Sequence, residues 1–171
     1  TRYNNERNHA QAQLLRAYED VEVTVRARTS ELIKASAEAR RLAAIIDSSS
    51  DSICSSSLEG VMTSWNEAAE RLYGYRYDEI VGQPASILMP KDRIPEANDL
   101  LERISIGERF APVETVRLHK DGHLIHVSQM YSPIRDEAGT VVGVSVVSRD
   151  ITQQKRIEEQ ARRLERERTE L

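Results

Sequence analysis

The strongest structural signal in the sequence is VETVRLHKDGHLIHVSQMYSPI, residues 113–134. Two runs rich in β-branched and aromatic residues, 113–118 and 124–134, lie on either side of a short polar segment. Within that segment, Asp121 and Gly122 supply the turn chemistry that a tight hairpin requires, because glycine readily adopts a positive φ angle. The stretch therefore predicts a pair of antiparallel strands.

Three further strand-like segments extend this hairpin to a five-stranded sheet. They are residues 52–55, 61–65 and 141–149, and the last is apolar on both faces, so we expect both of its faces to be covered. The predicted order is ββαααβββ, an α+β fold in which hairpin connections make the sheet antiparallel. The helix-like runs between the second and third strands are residues 66–73, 77–81 and 94–106.

Glycine and proline mark where this domain begins and ends. All 7 glycines and all 5 prolines lie between Gly60 and Gly143. Turns need these residues, whereas uninterrupted helices lack them. We therefore predict three segments, with Asp150 as the N-cap of the last: an N-terminal helix over residues 1–47, a compact domain over 48–150 and a C-terminal helix over 151–171.

The N-terminal helix has an apolar seam with alternating spacings of four and three residues, which is the coiled-coil period. A helix over residues 14–46 is about 50 Å long, too long for a small domain to cover, so we expect a parallel homodimer. Arg28 weakens the seam, which suits a helix that moves during signalling and equally suits an ordinary dimer helix. The seam positions are Leu14, Tyr18, Val21, Val25, Arg28, Leu32, Ala35, Ala39, Leu42 and Ile46, and in the C-terminal helix Ile157, Ala161 and Leu164.

Composition and charge exclude several classes of function. The formal net charge is −4 and the basic residues of both helices alternate with acidic ones, so the chain lacks the basic patch of a nucleic-acid binder. Cys54 is the one cysteine, which excludes an intrachain disulfide. No apolar run approaches the roughly 20 residues needed to cross a bilayer. We expect a cytoplasmic piece without membrane contact, covalently linked to upstream and downstream domains. An inner-membrane anchor elsewhere in the parent protein is compatible with this expectation.

A series of short motifs runs through residues 42–153. They are Gly60, Ser64-Trp65-Asn66, Ala68-Ala69, Leu72-Tyr73-Gly74-Tyr75, Asp78-Glu79-Ile80-Val81-Gly82, Leu88-Met89-Pro90, residues 117–122, Pro133-Ile134-Arg135-Asp136, Gly139 and Arg149-Asp150-Ile151-Thr152. In this order they resemble the PAS family of sensory domains, and the last resembles the Asp-Ile-Thr motif with which such domains join their output helix. Separately, residues 21–32 resemble the connector helix that leads out of membrane-proximal modules in sensor histidine kinases.

The resemblance implies a sensing and dimerisation module: a PAS sheet with short helices on one face, flanked by long coiled-coil helices. Some relatives bind flavin, haem or a metabolite, and others bind nothing. The flavin photosensors carry an adduct-forming cysteine where this chain has Ala85. Oxygen-sensing relatives ligate haem through a histidine on the long helix, and residues 90–101 contain none. We expect neither cofactor, and an unidentified small ligand stays open.

A ligand, if bound, is expected against the inner face of the sheet, where polar groups would orient it between apolar walls. The same residues equally suit a filled core in which the polar groups satisfy one another. The candidate pocket residues are Leu101, Ile104, Thr115, Val127, Gln129, Val144, Val146 and Ser148.

Catalytic and metal chemistry find little support in the sequence. The histidines nearest the hairpin turn are His119, His123 and His126. Alternate strand positions turn His123 and His126 to opposite faces, and Asp121 is the one carboxylate close by. The sequence also lacks a phosphate-binding loop, a nucleophile elbow and a kinase nucleotide motif. We predict no catalytic residue and no metal site.

These observations predict a non-catalytic sensory relay. Asp150, Ile151 and Thr152 would pass a change in the domain to the C-terminal helices of a dimer. The expected output domain is a histidine kinase, with a diguanylate cyclase as the alternative, by analogy with the family. A different class of function, a structural homodimerisation spacer with an empty core, fits the same sequence.

Overall fold

The computed structural model describes residues 2–108 and 110–169. Its elements follow the predicted order, with two 3-10 turns, Ala85–Leu88 and Lys91–Arg93, between the third and fourth helices. The strands are β1 (Ser52–Ser57), β2 (Met62–Trp65), β3 (Val113–Leu118), β4 (Leu124–Arg135) and β5 (Val141–Asp150). The helices are α1 (Arg2–Asp47), α2 (Glu67–Tyr73), α3 (Tyr77–Ile80), α4 (Ile94–Ser105) and α5 (Thr152–Thr169).

The five strands form one antiparallel sheet in the order β2-β1-β5-β4-β3. The predicted hairpin is confirmed, since Leu118 pairs with Leu124 and Gly122 adopts a φ of 95° in the turn. In the centre of the sheet β1 pairs with β5, with Ser52 opposite Ser148. The first and last strands of the domain therefore lie side by side, next to the helix that leaves it.

The core lies between the inner face of the sheet and the short helices. Ile125 and Val127 of β4 belong to one buried cluster with Tyr73 of α2. Helix α2 begins after Asn66, whose Oδ1 accepts the N–H of Ala69 at 2.9 Å and so caps the helix. The helices cover one face of the sheet, as predicted.

One local prediction about the end of the domain is wrong. Asp150 is not the N-cap of α5, because pairing with Val127 makes it the last residue of β5, and α5 begins at Thr152. On β5, Val142 is 48% exposed at the register shift after Ile134, and cover of the strand on both faces stays a prediction. The described part of the C-terminal helix is short, with 18 residues, and runs to the end of the described residues.

The chain divides into two compact units, one up to Ile45 and the other from Ile46 onward. The first unit is made by α1, whose apolar seam side chains are exposed; Leu32, for example, is 70% exposed. Arg28 and Glu31 form an ion pair at 3.2 Å along the helix surface. Among the described residues, the helices all fall short of the length and apolar character needed to span a bilayer.

Candidate ligand pocket and output junction

A cavity of about 60 Å³ lies inside the domain, between the inner face of the sheet and α4. Since one buried water occupies about 10 to 15 Å³ of such space, there is room for about four waters or a ligand of similar size. That the chain binds neither a flavin nor a haem stays a prediction. The walls are largely apolar and include Met62, Leu88, Leu101 and Val144.

A connected chain of hydrogen bonds forms the polar side of the cavity. Arg117 donates from Nη2 to Tyr131 Oη at 3.0 Å, and Tyr131 Oη donates to Gln129 Oε1 at 2.6 Å. Gln129 Nε2 then donates to Ser148 Oγ at 2.7 Å, and Tyr73 Oη donates to the same oxygen at 3.1 Å. These five side chains link β3, β4, β5 and α2 through groups that would be costly to bury unpaired.

Arg117 is the charged member of this network and is only 6% exposed. Its Nη1 donates to Thr115 Oγ1 at 3.2 Å and to the carbonyl oxygen of Val116 at 2.9 Å. All its hydrogen bonds to described residues thus end on neutral oxygens, and the ion pairs formed by the described residues do not include it. Burial raises the pKa values of Tyr73 and Tyr131, so both phenols are neutral near pH 7.

Half of the predicted pocket residues line the cavity: Leu101, Gln129, Val144 and Val146. Thr115 and Ser148 do not line the cavity but are hydrogen-bonded to Arg117 and Gln129, which do. Ile104 and Val127 are fully buried in the core. Whether these residues hold a ligand stays a prediction. The pocket residues predicted from the sequence did not include Arg117, Tyr73 or Tyr131, although strand alternation turns Tyr131 to the inner face with Gln129. Strand alternation could have found Arg117, which lies two positions after the inward-facing Thr115.

Cys54 of β1 also lies on the cavity wall and is buried. Burial raises the pKa of its thiol to about 12, although the charge of Arg117 opposes the shift. The thiolate is the reactive form of cysteine, so this thiol is chemically quiet at neutral pH.

The end of the sheet is joined to α5 by a compact set of hydrogen bonds. Asp150 Oδ1 accepts the N–H of Thr152 at 2.8 Å. Thr152 Oγ1 accepts the N–H of His126 at 3.1 Å, and Ile151 donates its own N–H to the His126 carbonyl at 2.9 Å. Ile151 is buried. The three predicted relay residues therefore fix the first turn of α5 to the neighbouring strand β4.

The turn of the β3–β4 hairpin brings His119, Asp121 and His123 together, with one ligand atom of each within 4.8 Å of the others. Asp121 Oδ1 lies 3.0 Å from His119 Nδ1 and 2.5 Å from His123 Nδ1. Hydrogen bonds from His123, first from its backbone N–H, lower the pKa of Asp121 to about 2. His119 Nδ1 already accepts the backbone N–H of Asp121 at 3.2 Å. These side chains thus stabilise the hairpin turn by hydrogen bonds to its backbone. The absence of a metal site stays a prediction.

Comparison with known proteins agrees with this geometry. A family profile described as the PAS fold matches residues 40–151. The chain belongs to the PAS family. A PAS domain from Colwellia psychrerythraea is 30% identical, with a TM-score of 0.62 over 67% of this chain and 97% of that one. The PAS domain of an HTR-like protein from Haloarcula marismortui covers 74% of this chain and 99% of its own at a TM-score of 0.61, and at 22% identity it shows the fold alone.

The PAS domain is also similar to part of a curated protein, the signal transduction histidine-protein kinase AtoS of Escherichia coli (strain K12). The two are 29% identical over 122 residues, which is 71% of this chain and 20% of the kinase. The chain thus spans about a fifth of the length of that relative. It is a PAS sensory domain related to one segment of a sensor kinase, which confirms the resemblance seen in the sequence.

Proposed function

We propose that the chain is the sensory and relay segment of a dimeric receptor whose output domain is a histidine kinase. The observation that carries this proposal is the junction at Asp150, Ile151 and Thr152. There the central strand β5 continues into α5 with one intervening residue, and hydrogen bonds to His126 hold that residue and Thr152 in place. A shift of β5 is therefore transmitted to the start of α5.

The path from the cavity to this junction is short. Val144 and Val146 of β5 line the cavity, and Ser148 is bonded to Gln129 of its polar side. Two residues beyond Ser148, at the exposed end of the strand, the carboxylate of Asp150 accepts the N–H of Thr152. A ligand or an upstream rearrangement that alters these side chains acts on a strand that ends at the output helix.

Dimerisation is supported by the exposed apolar seams of both terminal helices. A long isolated helix with an exposed apolar stripe is marginal in water, whereas two copies bury that stripe in a coiled coil. On α5 the seam side chains Ile157 and Leu164 are exposed as well. Lys155 pairs with Glu114 of β3 at 2.5 Å, which anchors the first turn and leaves the rest of α5 available to a second copy.

The relay is tested by inserting one to seven residues after Thr152 in the full receptor. Each residue rotates the downstream helix by about 100°, so kinase output is expected to change with insertion length and to recover at seven residues. Phosphorylation of the output domain is the measurement.

The matched control places the same insertions in the exposed turn after Glu137, which leaves the helix phase unchanged. Those insertions are expected to alter output little, without periodicity. Output that is indifferent to every insertion after Thr152 contradicts the relay and favours a passive spacer.

Leu32→Asp is expected to raise the dimer dissociation constant at least about tenfold, because the substitution places two carboxylates in the seam and loses two buried leucines. Sedimentation equilibrium measures it. Ile33→Asp is the matched control, since Ile33 is similarly exposed, at 64%, but lies off the seam. It is expected to change the constant by less than about threefold. Equal effects of both variants, or a monomeric parent chain, contradict the coiled-coil dimer.

A further inference from the structure

The guanidinium of Arg117 is a buried charge without a counter-charge among the described residues. A charge removed from water is costly unless an opposite charge and a full set of hydrogen bonds replace the lost hydration. Here the partners are the side chains of Thr115 and Tyr131 and the Val116 carbonyl, all neutral. A filled core has no need of such a residue, because a methionine or leucine packs there without the cost of desolvation.

The hydrogen bonds of Arg117 leave one edge of the guanidinium open. A guanidinium has five N–H groups. Both on Nη1 and one on Nη2 account for the three hydrogen bonds to Thr115, Val116 and Tyr131. Nε donates to no described residue, and Nη2 keeps one N–H without an acceptor among them. Nε and Nη2 share one edge of the guanidinium, and an edge of this kind binds a carboxylate with both oxygens.

The cavity beside Arg117 has the shape and chemistry for the rest of such a molecule. Its volume of about 60 Å³ admits only a few non-hydrogen atoms, and its other walls are mainly apolar, with Met62, Leu88, Leu101 and Val144 among them. The neighbouring polar groups Gln129 and Tyr131 already bond to each other. The site therefore offers one anchor for an anion and an apolar space for a short tail.

We propose that the cavity binds a small aliphatic monocarboxylate through the open edge of Arg117. This inference rests on the proposed sensory function for its meaning, since it names the chemical class of the stimulus. The bound carboxylate supplies the negative counter-charge that Arg117 lacks. It also connects Arg117 of β3 to the cavity wall to which Val144 and Val146 of β5 contribute. The ligand is thus in direct contact with the strand that leads to α5.

Thermal unfolding of the full 171-residue chain at neutral pH tests the proposal. The probes are sodium propionate, its neutral isostere propionamide, sodium phosphate and sodium chloride, at matched ionic strength. Propionate is expected to raise the midpoint by about 3 °C or more, and each of the others by less than about 1 °C. Equal shifts with propionate and propionamide, or a larger shift with phosphate than with propionate, overturn it.

Arg117→Met separates a ligand anchor from a structural residue. The variant is expected to lose the propionate shift and to unfold without ligand at a midpoint equal to or above that of the parent, because it removes an unpaired buried charge. A variant that keeps the propionate shift overturns the proposal. The proposal is also overturned if propionate fails to stabilise the parent chain and the Arg117→Met variant unfolds at a much lower midpoint than the parent.

A second pair of variants keeps Arg117 and changes the space beside it. Ala97 of α4 lines the cavity, whereas its neighbour Asn98 is exposed. Ala97→Leu is expected to fill the cavity and abolish the propionate shift, while Asn98→Leu keeps it. The reverse pattern contradicts binding in this cavity. These measurements need no output domain, so they are independent of the insertion experiment. If propionate does not bind but output varies periodically with insertion length, only the ligand proposal is wrong. If propionate binds but output is indifferent to the insertions, only the relay proposal is wrong.

Discussion

Asn66→Ala is expected to lower the free energy of unfolding by about 3 kcal/mol, because one buried side chain makes four hydrogen bonds to backbone groups. Its Oδ1 accepts the N–H groups of Ile53 and Ala69, each at 2.9 Å. Its Nδ2 donates to the carbonyls of Ile46 at 2.9 Å and Asp51 at 3.2 Å. Alanine removes all four bonds and the cap of α2, although the Ile46 carbonyl still accepts the N–H of Ser49 at 3.3 Å. Urea unfolding at a fixed protein concentration measures the loss.

The matched control for this variant is Asn98→Ala. Asn98 is an exposed residue of α4, so its replacement is expected to change the free energy of unfolding by less than about 0.5 kcal/mol. Comparable small losses at both positions would show that Asn66 does not hold the start of β1 and α2 together.

Gly143→Ala is expected to destabilise the domain by about 2 to 3 kcal/mol through overpacking in the centre of the sheet. A Cβ at this position would lie 2.7 Å from the carbonyl oxygen of Ser56 on the neighbouring strand. Because that oxygen belongs to the backbone, the clash can be relieved only if β1 and β5 move apart where Gly143 pairs with Ser57. The midpoint of urea unfolding reports the loss.

Ser145→Ala is the comparison on the same strand, two residues further and on the same face. It removes only a hydroxyl that is partly exposed and is expected to cost less than about 0.5 kcal/mol. If Gly143→Ala is as mild as this control, the close approach of β1 and β5 is not a constraint on the fold.

The sheet could be predicted from the sequence only where its signals are local. Asp121 and Gly122 determine the β3–β4 hairpin, since the turn between two strand-like runs sets their pairing. The pairing of Ser52 with Ser148 joins residues far apart in the chain, and no local pattern encodes it. The bulge that exposes Val142 is equally a result of tertiary pairing, and the apolar pattern of β5 does not locate it.

The same limit explains which cavity residues could be predicted. Gln129 follows from alternation along β4, since it lies on the face of the apolar Val127. Alternation along β3 also turns Arg117 inward, opposite Ile125, but a charged residue in a half-buried strand ordinarily faces water, so it was not expected in the pocket. Tyr73 reaches the network from α2, whose position on the sheet is set by long-range packing that the sequence pattern does not specify.

The buried position of Cys54 has a practical consequence for spectroscopy. It is the chain's single cysteine, and burial raises the pKa of its thiol to about 12, so the thiol stays protonated at neutral pH. A second cysteine introduced at Glu159, which is exposed and lies off the seam of α5, would therefore react almost alone with a maleimide dye or a nitroxide reagent. Distances between the labels of two copies could be recorded in the native background, with no need to remove the natural thiol from the core.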